Sequence, residues 1–96
     1  MTTFQEAKDI VRKELQKENP DIYVADWGRE NPDYWMIMAG DRRYLAGFDL
    51  DYASDDDRCF LVSKSTGKYS EMAFISNLDF FDDFTAVGTI PKFFSE

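Results

Sequence analysis

Histidine is absent from these 96 residues, and that absence removes more chemistry than any other feature. No imidazole can act as general base, so triads and dyads built on histidine are excluded. Cysteine is represented by Cys59 alone, so no intramolecular disulfide can form. A single thiol fits a reducing compartment, and without histidine beside it a structural zinc site is essentially excluded. The five glycines are scattered singly, and neither the phosphate-cradling loop nor the dinucleotide fingerprint occurs. No apolar run approaches the roughly 18 residues that span a bilayer. The start, Met1-Thr2-Thr3-Phe4-Gln5-Glu6, lacks the basic and apolar regions of a secretory leader. The expectation is a cytosolic protein with no cofactor.

Basic residues are also scarce, with 11 against 19 acidic ones and a net charge of −8. Such a surface repels nucleic-acid phosphates and anionic membranes, and it attracts basic partners. It also keeps a small protein dispersed. The expected partner is therefore a basic protein, with no direct nucleic acid and no membrane. Aromatic residues are plentiful: nine Phe, five Tyr and two Trp. Each buries a large area, so a chain of this length can build one core in one domain spanning 1–96.

The stretch from Cys59 to Met72 organises the rest. Cys59-Phe60-Leu61-Val62-Ser63 and Lys68-Tyr69-Ser70-Glu71-Met72 read as strands around a polar turn. Gly67 takes the positive φ that closes such a hairpin. This hairpin is expected in the middle of a small antiparallel sheet. Ahead of it, Thr3 and Glu6 have capping-box spacing. Phe4, Ala7, Ile10, Val11 and Leu15 then form an apolar helical stripe. Glu6, Lys8, Asp9, Arg12, Lys13, Glu14 and Lys17 are placed on the other faces, and Pro20 is the stop.

A strand is expected over Asp21–Trp27, and a breaker-rich loop over Gly28–Asp33. Tyr34–Ala39 is apolar throughout and reads as a central strand, with the helix on one face and partial cover on the other. Tyr44–Phe48 reads as a short strand or an inward-tucked loop. After the hairpin, Ala73–Ser76 is expected to extend the strand. Asn77 is expected to cap a short helix that turns Leu78, Phe81 and Phe84 inward and ends at Gly88. Phe93 and Phe94 are expected to dock. The fold class is α+β: an N-terminal helix on an antiparallel sheet of about four strands, with a short C-terminal helix.

The segment Asp49–Asp57 is the most acidic in the chain. A calcium loop starting at Asp49 would need an acid at Ala53, glycine at Ser54 and glutamate at Phe60, so the pattern fails. Nothing apolar in the sequence surrounds Asp55-Asp56-Asp57 to shift a catalytic pKa. Two readings remain open. The segment is a solvated connection, or it steers a basic partner. In the second reading Asp49, Asp51, Asp55, Asp56 and Asp57 supply charge, and Tyr44, Phe48 and Tyr52 supply anchors of the kind interfaces use.

The order of features resembles a known family. A capped helix is followed by a strand and then by an aromatic strand carrying Tyr34-Trp35. An apolar strand leads into Val62-Ser63-Lys64-Ser65-Thr66-Gly67-Lys68, and a short helix carries Asp79-Phe80-Phe81. Over residues 4–88 this is similar to the small immunity proteins of bacterial polymorphic toxin systems, in particular the YrhB-like group. Ser63 stands where the family pattern has an acid before the lysine. The resemblance implies a cytosolic antitoxin without catalysis, which binds and blocks a cognate toxin, a basic one that targets nucleic acid or nucleotides. The other expectations are an acidic nucleic-acid mimic that inhibits DNA- or RNA-binding proteins, and a small-ligand-binding domain.

Overall fold

The computed structural model describes residues 1–45, 47, 51 and 58–89. Helix α1 spans Phe4–Gln16 and begins with the expected capping box. The Glu6 amide donates to Thr3 Oγ1 at 3.1 Å, and the Thr3 amide donates to Glu6 Oε1 at 2.8 Å. Ala7, Val11 and Leu15 of the stripe are buried, with Phe4 and Ile10 packed beside them. Lys8 corrects the reading of the polar faces, since it is buried rather than solvated. It sits at the margin of the stripe, where its stem is covered and its ammonium reaches Asp26.

The strands are β1 (Tyr23–Glu30), β2 (Tyr34–Gly40), β3 (Arg58–Ser63), β4 (Tyr69–Ala73) and β5 (Thr85–Gly88). Their order across the sheet is β4-β3-β2-β1-β5, and every neighbouring pair is antiparallel. Helix α2 is the short Arg42–Leu45, and α3 is Leu78–Phe81, entered through a 3₁₀ turn at Ile75–Asn77. The class is α+β as expected, with five strands rather than about four.

The Cys59–Met72 hairpin forms, with Gly67 at φ 75°. It lies at one edge of the sheet and not in its middle. The central strand is β2, the strand expected there from its unbroken apolar run. The unforeseen strand β5 pairs with the far side of β1 and makes β2 the middle of the five, while among the described residues no strand lies beyond β4. Gly88 therefore lies in a strand instead of ending a helix. At φ 86° a Cβ there would stand 2.3 Å from the Asp26 carbonyl oxygen, so only glycine lets β5 close on β1. The Thr89 amide then donates to that same carbonyl at 2.9 Å.

Strand β1 runs through the expected loop start. It pairs Val24 with Ala39 and Gly28 with Ile37, advancing four residues while β2 retreats two. The shift is even, so the alternation of faces survives the bulge. Gly28 is not a turn residue. A Cβ at that position would come within 2.2 Å of the Met36 carbonyl oxygen, so its role is close approach inside the sheet.

One face of the sheet packs Val24, Ile37, Phe60 and Val62 against α1. The other carries Met36, Cys59 and Leu61 under Phe81 and Phe84, and Ala25 and Trp27 under Leu45. Tyr44 and Leu45, expected to begin a short strand or loop over Tyr44–Phe48, instead end a helical turn that Asp41 starts, the Arg43 amide donating to its Oδ1 at 2.8 Å, and residues 46 and 48 lie outside the described residues. Strand β4 stops at Ala73 and is not extended to Ser76. Asn77 makes no side-chain cap; its Nδ2 donates backward to the Ala73 carbonyl at 2.7 Å. Leu78 points outward, 54% exposed, because Phe80, Phe81 and Phe84 fill the space over the sheet. Phe93 and Phe94 lie outside the described residues. Among the described residues no helix is long and apolar enough to cross a membrane.

Candidate partner-binding surface

Of the eight residues expected to meet a partner, the described structure holds two. Asp51 is exposed. Tyr44, in α2, is half-buried and packs against the Ala25, Trp27 and Leu45 cluster, so part of its ring supports the fold. Asp49, Asp55, Asp56, Asp57, Phe48 and Tyr52 lie outside the described residues.

Three exposed apolar side chains follow β4 in the chain, none of them expected at a docking surface. Phe74 is 40% exposed with its ring centroid 5.3 Å from that of Phe81, Ile75 is 71% exposed, and Leu78, 54% exposed, follows in the next turn. Asp79, Asp82 and Asp83 follow, all exposed. Large apolar groups rimmed by charge are the usual composition of a docking surface. The available signal was spacing: three Phe at 80, 81 and 84 are enough to cover that part of the sheet, which leaves Leu78 in surplus.

Two concave features flank the sheet. A groove of 680 Å³ opens beside the C-terminal end of α1, with Leu15, Ile22 and Phe60 on its floor. Its rim gathers Arg42, Arg43 and Arg58 with Glu18, Asp21 and Asp41. These charges largely answer one another. Arg43 forks onto Asp41 at 3.0 and 2.7 Å. Arg58 meets Glu71 at 3.2 Å and Glu18 at 3.7 Å and covers the Phe60 ring. Arg42 lies 5.2 Å over the Tyr23 ring. The adjacent Arg42-Arg43 in so acidic a chain was the visible sign of this rim. The second feature, a hollow of 410 Å³ on the face opposite α1, is lined by Trp27, Met36, Met38, Cys59 and Phe74.

Hydrogen bonds from Thr3 hold Glu6 below the usual carboxylate range, the Lys8 ammonium does the same for Asp26, and the Arg43 guanidinium for Asp41. Burial, together with the bond to Glu71, pushes the Tyr69 hydroxyl up. At neutral pH the first three are anions and Tyr69 is neutral. Among the described residues no three His, Cys, Asp or Glu side chains group closely enough to hold a metal ion. Searches of protein-family models, curated proteins and solved structures return no match to the chain.

Proposed function

We propose that this protein is an inhibitor of the immunity type, which binds a basic toxin domain in the cytosol and blocks it without catalysis. The observation that carries the reading is the exposed apolar group Phe74, Ile75 and Leu78, followed by acidic residues, on a chain of net charge −8. Apolar anchors supply affinity once water is excluded, and the acidic field speeds encounter with a basic surface. The resemblance to the YrhB-like immunity proteins points the same way. The acidic residues Asp49, Asp51, Asp55, Asp56 and Asp57 are proposed to add to that field.

The test is retention of a partner by the tagged chain at moderate salt, followed by co-expression. The expected result is one stoichiometric basic partner, encoded beside this gene, that arrests growth alone and not with this chain. Many weak basic proteins that wash off with salt would instead indicate a nucleic-acid mimic. The hollow lined by Trp27 and Met38 favours a second reading, a small-ligand-binding domain. Quenching of tryptophan emission by an apolar ligand, with no protein partner retained, would support it.

A further inference from the structure

The open side of β4 differs from the rest of the sheet. Among the described residues β4 has a neighbour on one side only. Its Ser70, Glu71 and Ala73 are exposed, whereas the neighbouring β3 is buried from Cys59 to Val62. The direction of its backbone groups follows from the turn. The Ser63 amide donates to the Lys68 carbonyl at 3.0 Å, and the register runs without a break from Val62↔Tyr69 to Arg58↔Ala73. Opposed residues alternate between bonded and non-bonded pairs along an antiparallel ladder. Ser70 and Met72 therefore bond inward to β3, and the amides of Tyr69, Glu71 and Ala73 face outward.

Exposed edges are usually guarded by proline, lysine, a bulge or short length. Strand β4 has no proline, no lysine and no bulge over Tyr69–Ala73. Its one charge, Glu71, is drawn aside by Tyr69 at 2.5 Å and Arg58 at 3.2 Å. The opposite edge, β5, is a four-residue strand closed by a positive-φ glycine. The unguarded edge also runs directly into the exposed Phe74, Ile75 and Leu78.

We infer that β4 is a strand-addition site, which takes an extended segment of a partner protein with apolar and cationic side chains in alternation. The outward amides give the ladder, the apolar group beyond Ala73 gives an anchor, and the net charge selects for Lys and Arg. A second copy is disfavoured as occupant. Antiparallel self-pairing centred on Glu71 would set two Glu71 carboxylates opposite each other and join two chains of −8. The inference rests on the inhibitor reading only for who the partner is.

The experiment is residue-resolved amide exchange on the full chain, with a synthetic peptide of alternating valine and lysine as the probe. The peptide is expected to slow exchange at Tyr69, Glu71 and Ala73 about tenfold or more, the effect of one or two new hydrogen bonds. Ser70 and Met72, already bonded, are expected to change little. A valine–glutamate peptide is expected to give no protection. Ala73→Pro, which removes an outward amide and none bonded to β3, is expected to abolish binding. Should Ala73→Pro fail to fold, the exchange pattern of the unaltered chain decides by itself. Equal protection by the glutamate peptide, or none at millimolar lysine peptide, overturns the inference. Protection that appears without peptide as protein concentration rises also overturns it, in favour of a second copy. A neutralised toxin whose complex leaves these amides unprotected would retire the edge and keep the inhibitor. Peptide binding at the edge without any toxin would do the reverse.

Discussion

Lys8 Nζ donates to Asp26 Oδ1 at 2.5 Å, with the lysine side chain 8% exposed and the aspartate 76%. The pair joins α1 to the bulge of β1, and its two members stand in different solvents. Removing either one is therefore not equivalent. Asp26→Asn leaves a buried ammonium without its counter-charge and should cost about 1–3 kcal/mol. Lys8→Met leaves a carboxylate already in water and puts an apolar chain in the covered slot, so its cost should stay within about 0.5 kcal/mol. Urea midpoints of the two variants check the ordering; equal losses would sink the argument.

The same carboxylate gives an acid dependence. Its folded pKa lies below the ordinary value, so its contribution is complete above about pH 4 and is lost as pH falls through the lowered value. Glu6 and Asp41 act in the same direction. The unaltered chain should lose stability on acidification, and Asp26→Asn should show a shallower decline over that range. Urea midpoints taken from neutral to acid pH measure both slopes.

Tyr69 works at the other end of the scale. Its folded pKa is raised, so the stability it supplies is complete below about pH 10 and is lost as pH rises beyond the ordinary tyrosine range. Tyr69→Phe should cost about 1 kcal/mol at neutral pH, because Glu71 loses a donor. The alkaline limb of the stability profile should flatten in that variant, and an unchanged limb would count against the assignment.

Lys64 closes the far end of the sheet. Its ammonium lies 2.7 Å from Glu30 Oε1 and 4.3 Å above the Trp35 ring, whose Nε1 donates to the Thr2 carbonyl at 2.9 Å. Lys64→Ala should cost about 1–2 kcal/mol through the lost charge pair and ring contact. Lys64→Met keeps the stem and should recover less than half of that loss. Thermal unfolding of the three proteins makes the comparison.

Gly28, beside the β1 bulge, should be less tolerant of added atoms than Gly67 in the hairpin turn. Gly28→Ala drives a methyl into the Met36 carbonyl with no side chain free to yield, so a loss of about 2–4 kcal/mol or failure to fold is expected. Gly67→Ala faces the Thr2 hydroxyl at 3.2 Å and a positive φ, and should cost about 1–2 kcal/mol. Chemical denaturation of both variants tests the ranking.

Local signals were legible in the sequence wherever one residue and its near neighbours decide the outcome. The Thr3–Glu6 box, the Ala7–Val11–Leu15 stripe and the Gly67 turn are set within a few residues, and all three appear as read. The uniform apolar run of β2 likewise announced a central strand, covered by the helix on one face and in part on the other. The acidic run from Asp49 to Asp57 is legible as composition, but most of it lies outside the described residues. What the sequence left open depends on which distant backbone comes close. Gly28 and Gly88 look like breakers until the Met36 and Asp26 carbonyls arrive at the places their Cβ atoms would fill. Lys8 looks solvated until the bulge brings Asp26 to it, and Leu78 looks buried until three phenylalanines occupy the same face. Strand β4 is an edge because β5 adds beside β1 and, among the described residues, no strand adds beside β4. The sequence by itself determined the class, the caps and the turn, because short-range sterics and periodicity are local. Tertiary structure alone decided strand order, the open edge and the exposed apolar group, because those follow from long-range competition for one core.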